Sequence, residues 1–405
     1  MNMNRRTFVG AAATAILAFA AAVPSAIGQE RGSVRIGYVV SQTGVNAAGA
    51  TTTTIPNYEL WVHDVNAAGG LRLPDGTQLP IEVVAYDDRS QTEEVVRGIE
   101  RLVNQDRVDF ILAPWGTGFN LAAAPLMARF GYPQIASSSI VPPIPGIHER
   151  WPGAFWLLGT AEDYAHAFAE LLTTQKQAGT LNGQVAMISI ADGFGIELAA
   201  SARKAFEEAG IEIVMDRTYP LGTQDFATLL SEAQASGADA FVAYSYPGDT
   251  FAITRQARVS GYNPPIFHTG VGTSFPIYPQ MAEGGVEGVM SLGGIDVNRP
   301  EIQDYIRRHQ EVIGKLPDAW ASPVIYSSLQ MLAQAIERRG LDREAVTQEL
   351  ASGRFETILG PIQLVDNAPR DLWYIGQWQG DHFVAVAPAG REGSADLVVP
   401  KPGWN

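Results

Sequence analysis

Small and hydroxyl-bearing residues follow three apolar, β-rich runs in the first part of the chain. They occupy residues 41–54, 114–120 and 137–139, and the last two segments read Pro-Trp-Gly-Thr-Gly-Phe-Asn and Ser-Ser-Ser. Glycine lets backbone amides approach a ligand, and hydroxyls add hydrogen-bond donors that suit a carboxylate. One such loop more often caps a helix or makes a turn, but three at equivalent strand ends favour a binding site. The candidate residues in these loops are Thr43, Asn46, Trp115, Gly116, Thr117, Ser137, Ser138 and Ser139.

Aromatic residues occupy the equivalent strand ends in the second part of the chain. Their rings could hold an apolar or ring-shaped ligand, or they could belong to the core. Both interpretations stay open for Trp115, Tyr244 and Tyr246, which follow strands rather than lie at strand centres. The candidates in this part of the chain are Tyr164, Phe194, Tyr244, Tyr246 and, from a hydroxyl-bearing loop, Thr269.

The sequence lacks the usual motifs of catalysis. The Gly270-x-Gly272 pair has no third Gly or Ala to complete a dinucleotide-binding fingerprint. There is no Gly-x-Ser-x-Gly elbow, no Walker loop and no His-Glu-x-x-His motif, and His268 is more typical of a structural histidine than of a base. Asp87 and Asp88 could form a metal pair or a general acid and base, but a strand-end cap, or an ion pair with Arg89, is the commoner role. We therefore expect no enzyme, no metal and no cofactor, with a hydrolase using these two aspartates as the alternative.

Composition and charge narrow the class of protein further. The 405 residues are 46% hydrophobic and 18% charged, which indicates a globular chain of two or three domains. Cysteine is missing, so disulfides, thiolate nucleophiles and cysteine-ligated metals are excluded. The formal net charge of −15 repels phosphate backbones, so we expect neither nucleic acid nor an anionic membrane as a partner.

The first 28 residues have the three parts of an export signal. Arg5 and Arg6 precede an uncharged stretch, residues 8–23, and small residues end the segment at Gly28. The stretch is shorter than the roughly 20 apolar residues of a membrane span, so we expect no membrane insertion. The arginine pair resembles a twin-arginine signal, although a general secretory signal with two arginines would look the same. We expect cleavage after Gly28 or Ser25 and a periplasmic location.

Apolar β-rich runs alternate with amphipathic helical patterns through the rest of the chain. In the first helix, Tyr58, Trp61, Val62 and Val65 recur at the i, i+3, i+4, i+7 spacing of one helix face. Strands that alternate with helices predict parallel pairing and doubly wound sheets. The predicted strands are residues 34–40, 81–86, 108–112, 133–136, 185–190, 211–214, 240–244, 265–268, 362–365, 373–378 and 383–386.

Two local motifs predict how elements begin and end. Ser90 and Glu93 match a capping box in front of the second helix. Gln379-Gly380-Asp381 matches the turn of an antiparallel hairpin formed by the last two strands.

Short motifs occur in a characteristic order along the mature chain. They include the Thr43-Gly44 loop, Asn66-Ala67-Ala68-Gly69-Gly70, Asp192-Gly193-Phe194-Gly195 and Gly261-Tyr262. This order resembles the periplasmic leucine/isoleucine/valine-binding protein family, the solute-binding components of ABC importers, and the resemblance covers residues 33–388.

The resemblance implies an α/β fold of the type I periplasmic binding protein class. Two Rossmann-like, doubly wound lobes would be joined by three hinge crossovers and would close on a ligand. The first lobe would comprise residues 33–155 and 297–355, and the second lobe residues 156–296 and 356–405. The protein would act as a monomer that delivers its ligand to an ABC permease in the inner membrane.

The resemblance also assigns roles to candidate residues. Loops aligned with residues 115–118 and 137–139 would hold a ligand carboxylate, and Tyr244 or Tyr246 would align with a ligand-binding tyrosine. Amino-acid binders carry an acidic residue where Thr269 stands here, and a buried ammonium without a counter-charge costs several kcal/mol. We therefore expect a carboxylate without an amine, either aromatic or branched and apolar, as the ligand.

Three alternatives stay open. Asp192 or Asp249 could supply the missing negative charge, in which case the ligand would be a branched-chain or aromatic amino acid. The same scaffold could also act as a periplasmic sensor that docks on a receptor. The third is the hydrolase already described.

Overall fold

The first part of the chain forms a lobe around a parallel sheet. The computed structural model describes residues 32–140 and 146–404, so the predicted export signal lies outside the described residues. β1 runs between β4 and β5, parallel to both, and helices cover both faces because Ile36 packs with α1 whereas Val39 packs with α2 and α3. The elements are β1 (Val34–Val39), α1 (Ala47–Ala67), β2 (Leu71–Arg72), β3 (Gln78–Leu79), β4 (Ile81–Tyr86), α2 (Thr92–Arg101, continued by a π-helical turn, Leu102–Asp106), β5 (Phe110–Leu112), α3 (Thr117–Phe130), β6 (Gln134–Ala136), α4 (Ile147–Arg150) and β7 (Ala154–Trp156).

The next part of the chain forms a second lobe with its own sheet. Five strands pair in the order β12-β11-β10-β8-β9, all parallel, and α5 packs against α6 while α7 packs against α8. The elements are α5 (Ala161–Gln177), β8 (Gln184–Ile190), α6 (Gly193–Glu208), β9 (Glu212–Tyr219), α7 (Ala227–Ala235), β10 (Ala240–Tyr244), α8 (Pro247–Ser260), β11 (Ile266–His268), α9 (Tyr278–Met281) and β12 (Met290–Leu292).

The chain then returns to the first lobe before it ends in the second. Helix α11 packs on α1, and the β13–β14 hairpin packs on α11. Strands β15 and β16 extend the second sheet with antiparallel pairing next to β12. The elements are α10 (Pro300–Ile313), α11 (Ala321–Arg339), α12 (Arg343–Ser352), β13 (Arg354–Thr357), β14 (Gly360–Gln363), β15 (Ile375–Gln379) and β16 (His382–Ala387).

Three segments cross between the two lobes, as the resemblance implies. They are residues 157–160, 293–299 and 364–374. The boundary placed between residues 355 and 356 falls inside β13, and the whole β13–β14 hairpin lies on the first lobe. Among the described residues, no helix combines the length and apolar character needed to cross a membrane.

The predicted hairpin turn is confirmed, but the predicted capping box is wrong. β15 ends at Gln379 and β16 begins at His382, with Gly380 and Asp381 between them. Helix α2 has Gln91 at its N-cap without a side-chain cap. Ser90 instead has φ +59°, and its hydroxyl donates to the carbonyl of Thr43 (2.8 Å) and accepts from the amide of Asn46 (3.0 Å). Because the Ser90 hydroxyl bonds to the neighbouring loop, it does not cap the helix.

Candidate functional site

Loops from the two lobes meet around a small cavity, which we call the interlobe cavity. Its volume is about 20 Å³, which is room for about one water molecule. Six candidate residues from the sequence line it, namely Trp115, Gly116, Thr117, Ser138, Phe194 and Tyr246. Six residues that sequence reasoning did not single out also line it, namely Thr53, Ile140, Leu158, Val271, Trp320 and Ala321.

Aromatic rings close one side of the interlobe cavity. Trp115 of the first lobe contacts Tyr246 of the second, with ring centroids 5.1 Å apart, and Phe194 stacks on Tyr246 at 5.4 Å. Trp115 fits because residue 49 is glycine, since a Cβ there would lie 2.1 Å from the indole. The two lobes are therefore in direct ring contact on this side of the cavity.

The N-terminus of α3 forms the polar side of the cavity. Gly116, with φ +88°, is the N-cap, and no side chain caps the helix. The Gly116 amide donates to the Ser138 hydroxyl (3.2 Å), which donates in turn to the carbonyl of Pro114. The amides of Thr117 and Gly118 have no acceptor among the described residues. Such amides carry the positive end of the helix dipole and suit an anion.

Asp192 of the second lobe lies beside this helix terminus. Its carboxylate caps α6 by accepting from the amide of Phe194 (3.4 Å), and it accepts the Tyr246 hydroxyl at 2.7 Å. One carboxylate oxygen lies 3.2 Å from where a Cβ on Gly118 would be. Burial, together with the charge of Asp192, holds the pKa of Tyr246 well above its usual value, so the tyrosine is the proton donor of this bond.

Two more carboxyl groups lie near Tyr246 but do not line the cavity. Burial, with a contribution from the charge of Asp192, raises the pKa of Glu197 to about 8, and one of its oxygens has no hydrogen-bond partner among the described residues. Burial raises the pKa of Asp249 to about 6, and its carboxylate accepts from the hydroxyl of Tyr219 (3.3 Å). The second lobe is therefore acidic behind its aromatic surface.

The loop after β11 presents an apolar residue to the cavity. The Thr269 hydroxyl lies 2.7 Å from the Thr273 hydroxyl, and the Thr269 side chain is fully buried. Val271 lines the cavity instead, because the amides of Gly270 and Val271 bond to Ser245 and fix the turn. Thr269 therefore does not line the interlobe cavity, and Val271, the residue of this loop that does, carries no acid.

Comparison with known proteins identifies the family of this chain. Residues 33–382 match the family profile described as periplasmic binding protein. The chain belongs to the periplasmic binding protein family. A curated relative, Leu/Ile/Val-binding protein homolog 7 of Brucella abortus, is 23% identical over 351 residues, covering 82% of this chain and 85% of the relative.

Solved structures share the fold of this periplasmic binding protein. A leucine-binding protein from Thermotoga maritima aligns with a TM-score of 0.74 and 21% identity, over 91% of this chain and 99% of the other. A solute-binding protein of an ABC transporter from Rhodopseudomonas palustris BisB5, in complex with 3,4-dihydroxybenzoic acid, aligns with a TM-score of 0.73 and 18% identity, over 87% and 95%. The type I fold expected from the motif order is confirmed.

Two candidates from the β1 loop lie away from the interlobe cavity of this periplasmic binding protein. The Thr43 hydroxyl is exposed and donates to Asp87 (2.7 Å), and the Asn46 amide donates to Ser90. Asp88 accepts from Ser41 and from the amide of Ser90. The polar residues of this region therefore hold one loop against another, which is the strand-end role weighed for Asp87 and Asp88.

Four more candidates are buried in positions that do not line the interlobe cavity. Ser137 lies by the Tyr58 hydroxyl, and the Ser139 hydroxyl donates to the carbonyl of Ile140. Tyr244 packs near the ring of His268, whose pKa burial lowers to about 3. The fourth, Tyr164, accepts the indole N–H of Trp320 at 2.9 Å and lies behind that ring. The described residues contain no group of acidic and histidine side chains arranged to hold a metal ion.

A larger cavity lies on the flank of the hinge and has a different character. It measures about 570 Å³ and lies between α10 and the β15–β16 hairpin, with Ile302, Trp378 and Phe383 among its mainly apolar walls. None of the candidate residues lines it. The convergence of helix amides, hydroxyls and aromatic rings makes the interlobe cavity the candidate ligand site despite its smaller volume.

Proposed function

We propose that this periplasmic binding protein captures a small organic acid without an amino group and delivers it to an ABC permease in the inner membrane. The observation that carries the proposal is the uncapped N-terminus of α3, which faces a cavity with no acidic residue in its lining. Aromatic or branched apolar acids are the class that this site fits best.

The carboxylate of such a ligand would lie at the start of α3. The amides of Thr117 and Gly118 are directed there without an acceptor among the described residues, and the Ser138 hydroxyl is next to them. These neutral groups bind an anion through hydrogen bonds and the helix dipole, so no arginine is needed. The long-range field of this acidic protein opposes an anion, so affinity would come from these local donors.

An ammonium group would find no partner among the residues that line the cavity. The resemblance leads us to expect an acid at Thr269, which is buried outside the cavity lining, and the residue of this loop that faces the cavity is the apolar Val271. Burying an unpaired charge costs several kcal/mol. Asp192 is the nearest carboxylate, but it already accepts from Tyr246 and from the amide of Phe194. If the ligand were an amino acid, as in the alternative above, its ammonium group would have to compete with those two bonds for the Asp192 carboxylate.

The apolar part of the ligand would lie between the aromatic walls. Trp115, Phe194 and Tyr246 form a continuous set of ring contacts, and rings of this kind accept aromatic or branched apolar groups. The Rhodopseudomonas relative, whose reported complex contains an aromatic acid without an amine, is consistent with such a ligand in this fold. Because the cavity holds only about 20 Å³, binding would separate Trp115 from Tyr246 and the lobes would close again over the ligand.

We propose the following organisation for the exported protein. Residues 1–28 form a cleavable export signal of the twin-arginine type, and the mature protein is a periplasmic monomer. The first lobe comprises residues 33–156 and 300–363, since the β13–β14 hairpin packs on α11, and the second lobe comprises residues 161–292 and 375–404. Replacing Arg5 and Arg6 with lysine should block export by the twin-arginine route, whereas a general secretory signal would still export the protein.

A ligand panel tests the proposed function. Purified protein would be screened by thermal shift and calorimetry against benzoate, 3,4-dihydroxybenzoate, branched keto acids, the matching amides, leucine and phenylalanine. An acid at 100 times its dissociation constant should stabilise the protein by about 2.7 kcal/mol, and it should be recovered unchanged. Stabilisation by leucine or phenylalanine, and by no amine-free acid, would overturn the ligand class.

Two further experiments test the sensor and the hydrolase alternatives. If the loaded protein stimulates ATP hydrolysis by its importer in vesicles, transport is supported over sensing. If a bound compound is consumed, and Asp88→Asn stops its loss without weakening binding, the hydrolase alternative is correct.

A further inference from the structure

A second cavity lies directly behind the interlobe cavity, and we call it the rear cavity. It measures about 30 Å³, and its wall includes residues of two crossovers and one residue of α5, the helix that follows the other crossover. Tyr164 follows the first crossover, Gly294 belongs to the second, and Leu372 and Trp373 belong to the third. The rear cavity is therefore built at the hinge itself.

Trp320 separates the two cavities. Its indole lines both of them, and it is held from the rear by the Tyr164 hydroxyl, which accepts the indole N–H at 2.9 Å. The rings of Trp320 and Tyr164 meet edge to face at 6.1 Å. The indole fits because residue 293 is glycine with φ +87°, since a Cβ there would lie 2.0 Å from the ring. The backbone of the second crossover thus leaves the space that the Trp320 side chain occupies.

The rear cavity differs chemically from the interlobe cavity. The Arg391 guanidinium lines it, donates to the carbonyl of Leu372 (2.9 Å) and lies 4.3 Å from the centroid of Trp373. Arg391 also pairs with Asp371 at 3.0 Å, and that aspartate side chain is 90% exposed. The lining of the rear cavity is otherwise mainly apolar and aromatic, with the Arg391–Asp371 ion pair at one side, so the cavity could accommodate the apolar far end of a longer acid.

We propose that Trp320 sets the maximum length of the acid that the interlobe cavity accepts, by closing the rear cavity to the ligand. This inference rests on the proposed function, because the ligand must lie with its carboxylate at α3 for its far end to point at Trp320. With the indole in place, the protein takes short acids. Without it, the two cavities join and the site takes acids extended by several methylene groups.

Calorimetry with a series of acids tests this role. The series is benzoate, phenylacetate, 3-phenylpropionate and 4-phenylbutyrate, in which the carboxylate and ring stay constant while the spacer grows. Wild-type protein should bind the short members best. Trp320→Ala should reverse the order, with a gain of about tenfold or more for 4-phenylbutyrate relative to benzoate, since each methylene placed in an apolar pocket changes affinity severalfold. Trp320→Phe should keep the wild-type order because a ring still separates the cavities.

A matched control removes another tryptophan outside both cavities. Trp404 donates its indole N–H to the carbonyl of Tyr262 (2.8 Å), as Trp320 donates to Tyr164, and it lines neither cavity. Trp404→Ala should therefore lower stability without changing the order of affinities. A folded Trp320→Ala protein with the wild-type order would overturn the proposal, and Trp320→Leu provides the same test if the alanine variant does not fold.

Failure of the inference is distinguishable from failure of the proposed function. If wild-type protein binds amino acids and none of the acids, the ligand class is wrong, and the series is repeated with phenylglycine, phenylalanine and homophenylalanine. A shift toward the longer members in Trp320→Ala would then still support the role of Trp320. An unchanged order in both series would refute it.

Discussion

The helices α3 and α6 both begin at the cleft, one from each lobe, and they begin differently. Helix α3 starts at a glycine with no side-chain cap, and no acid or base occurs in its first turn. Helix α6 starts at Asp192, whose carboxylate caps it and binds Tyr246, and Glu197 lies one turn further on. The first lobe thus presents amides without acceptors to the cavity, whereas the helix terminus of the second lobe is already capped by the Asp192 carboxylate.

Because of this difference, the two sides of the cleft interact differently with a negative charge. A helix terminus with free amides attracts an anion, and a terminus already capped by a carboxylate repels one. A bound acid should therefore place its carboxylate against the first lobe and its apolar part against the aromatic residues of the second. The predictions below remove this difference or reverse it.

The largest effect is expected from placing a charge at the start of α3. Thr117→Asp would occupy the helix terminus with a carboxylate of its own, so the ligand anion would meet repulsion instead of a free dipole. We expect affinity for the acid to fall by about a hundredfold, equivalent to about 2.7 kcal/mol, while the helix itself is stabilised slightly. Calorimetry measures the first effect and thermal unfolding the second. Thr117→Asn is the neutral control, and equal losses in both variants would show that the charge is irrelevant.

A somewhat smaller effect is expected from adding an acid to the apolar side of the cavity. Val271→Glu would supply the ammonium partner that the loop after β11 lacks. We expect leucine to gain about tenfold or more in affinity and the amine-free acid to lose a similar factor, since ion pairing in a cleft contributes about 1.4 kcal/mol or more. Titrations of both ligands against Val271→Glu and Val271→Gln check this. If the glutamine variant gains leucine affinity equally, the charge argument is wrong.

A third prediction concerns the bond that keeps Asp192 on the second lobe. Tyr246→Phe keeps the ring contact with Trp115 and removes the 2.7 Å hydrogen bond to the carboxylate. We expect the free energy of unfolding to fall by about 1.5 kcal/mol, the usual value for a bond to a charged group. Tyr262→Phe is the control in denaturant titrations, because its buried hydroxyl has no partner among the described residues. A similar loss in both variants would mean that the Asp192 bond adds nothing.

The smallest effect is a pH dependence that originates behind α6. Burial raises the pKa of Glu197 from 4.5 to about 8, so the folded protein binds this proton more tightly than the unfolded chain does. The stability that this group contributes is present below pH 4.5 and is lost as the pH rises through about 8. Glu197→Gln should therefore match wild type near pH 5 and exceed it at pH 9 by at least about 1 kcal/mol, since a pKa raised by one unit corresponds to about 1.4 kcal/mol.

The control for this prediction is on the same helix. Glu207→Gln replaces an exposed glutamate of α6 and should show no such pH-dependent gain. If the stability difference between Glu197→Gln and wild type stays constant from pH 5 to pH 9, burial of a protonated Glu197 is contradicted.

Sequence reasoning predicted four first-lobe residues that line the interlobe cavity. Trp115, Gly116, Thr117 and Ser138 were identified because loops after parallel strands converge at one sheet edge. Strand positions followed from the alternation of apolar runs and helices, and the two lobes followed from its restart. These features depend on local pattern and on general rules of chain topology, which a sequence displays directly.

The misses depend on contacts between distant parts of the chain. Trp320 reaches the cavity from the start of α11, and the only local signal was an aromatic residue two positions after a helix-capping aspartate, Asp318. The sequence predicted Thr269 rather than Val271 as the residue of its loop that faces the ligand. The direction of that loop depends on a bond to Ser245, on a neighbouring strand end, and this bond is not visible in the sequence. Thr43 looked like a ligand donor because its bond to Asp87 could not be seen in the sequence.

The measurement that tests the central claim most directly is a calorimetric comparison of 4-methylpentanoate with leucine. The two molecules share one carbon skeleton and one carboxylate and differ only in the ammonium group. If free amides at α3 hold the carboxylate and nothing in the cavity matches the ammonium, 4-methylpentanoate should bind about a hundredfold more tightly or better, about 2.7 kcal/mol. Tighter binding of leucine would show that an acid of the second lobe, with Asp192 the nearest, turns to meet the ligand nitrogen, and it would contradict this account.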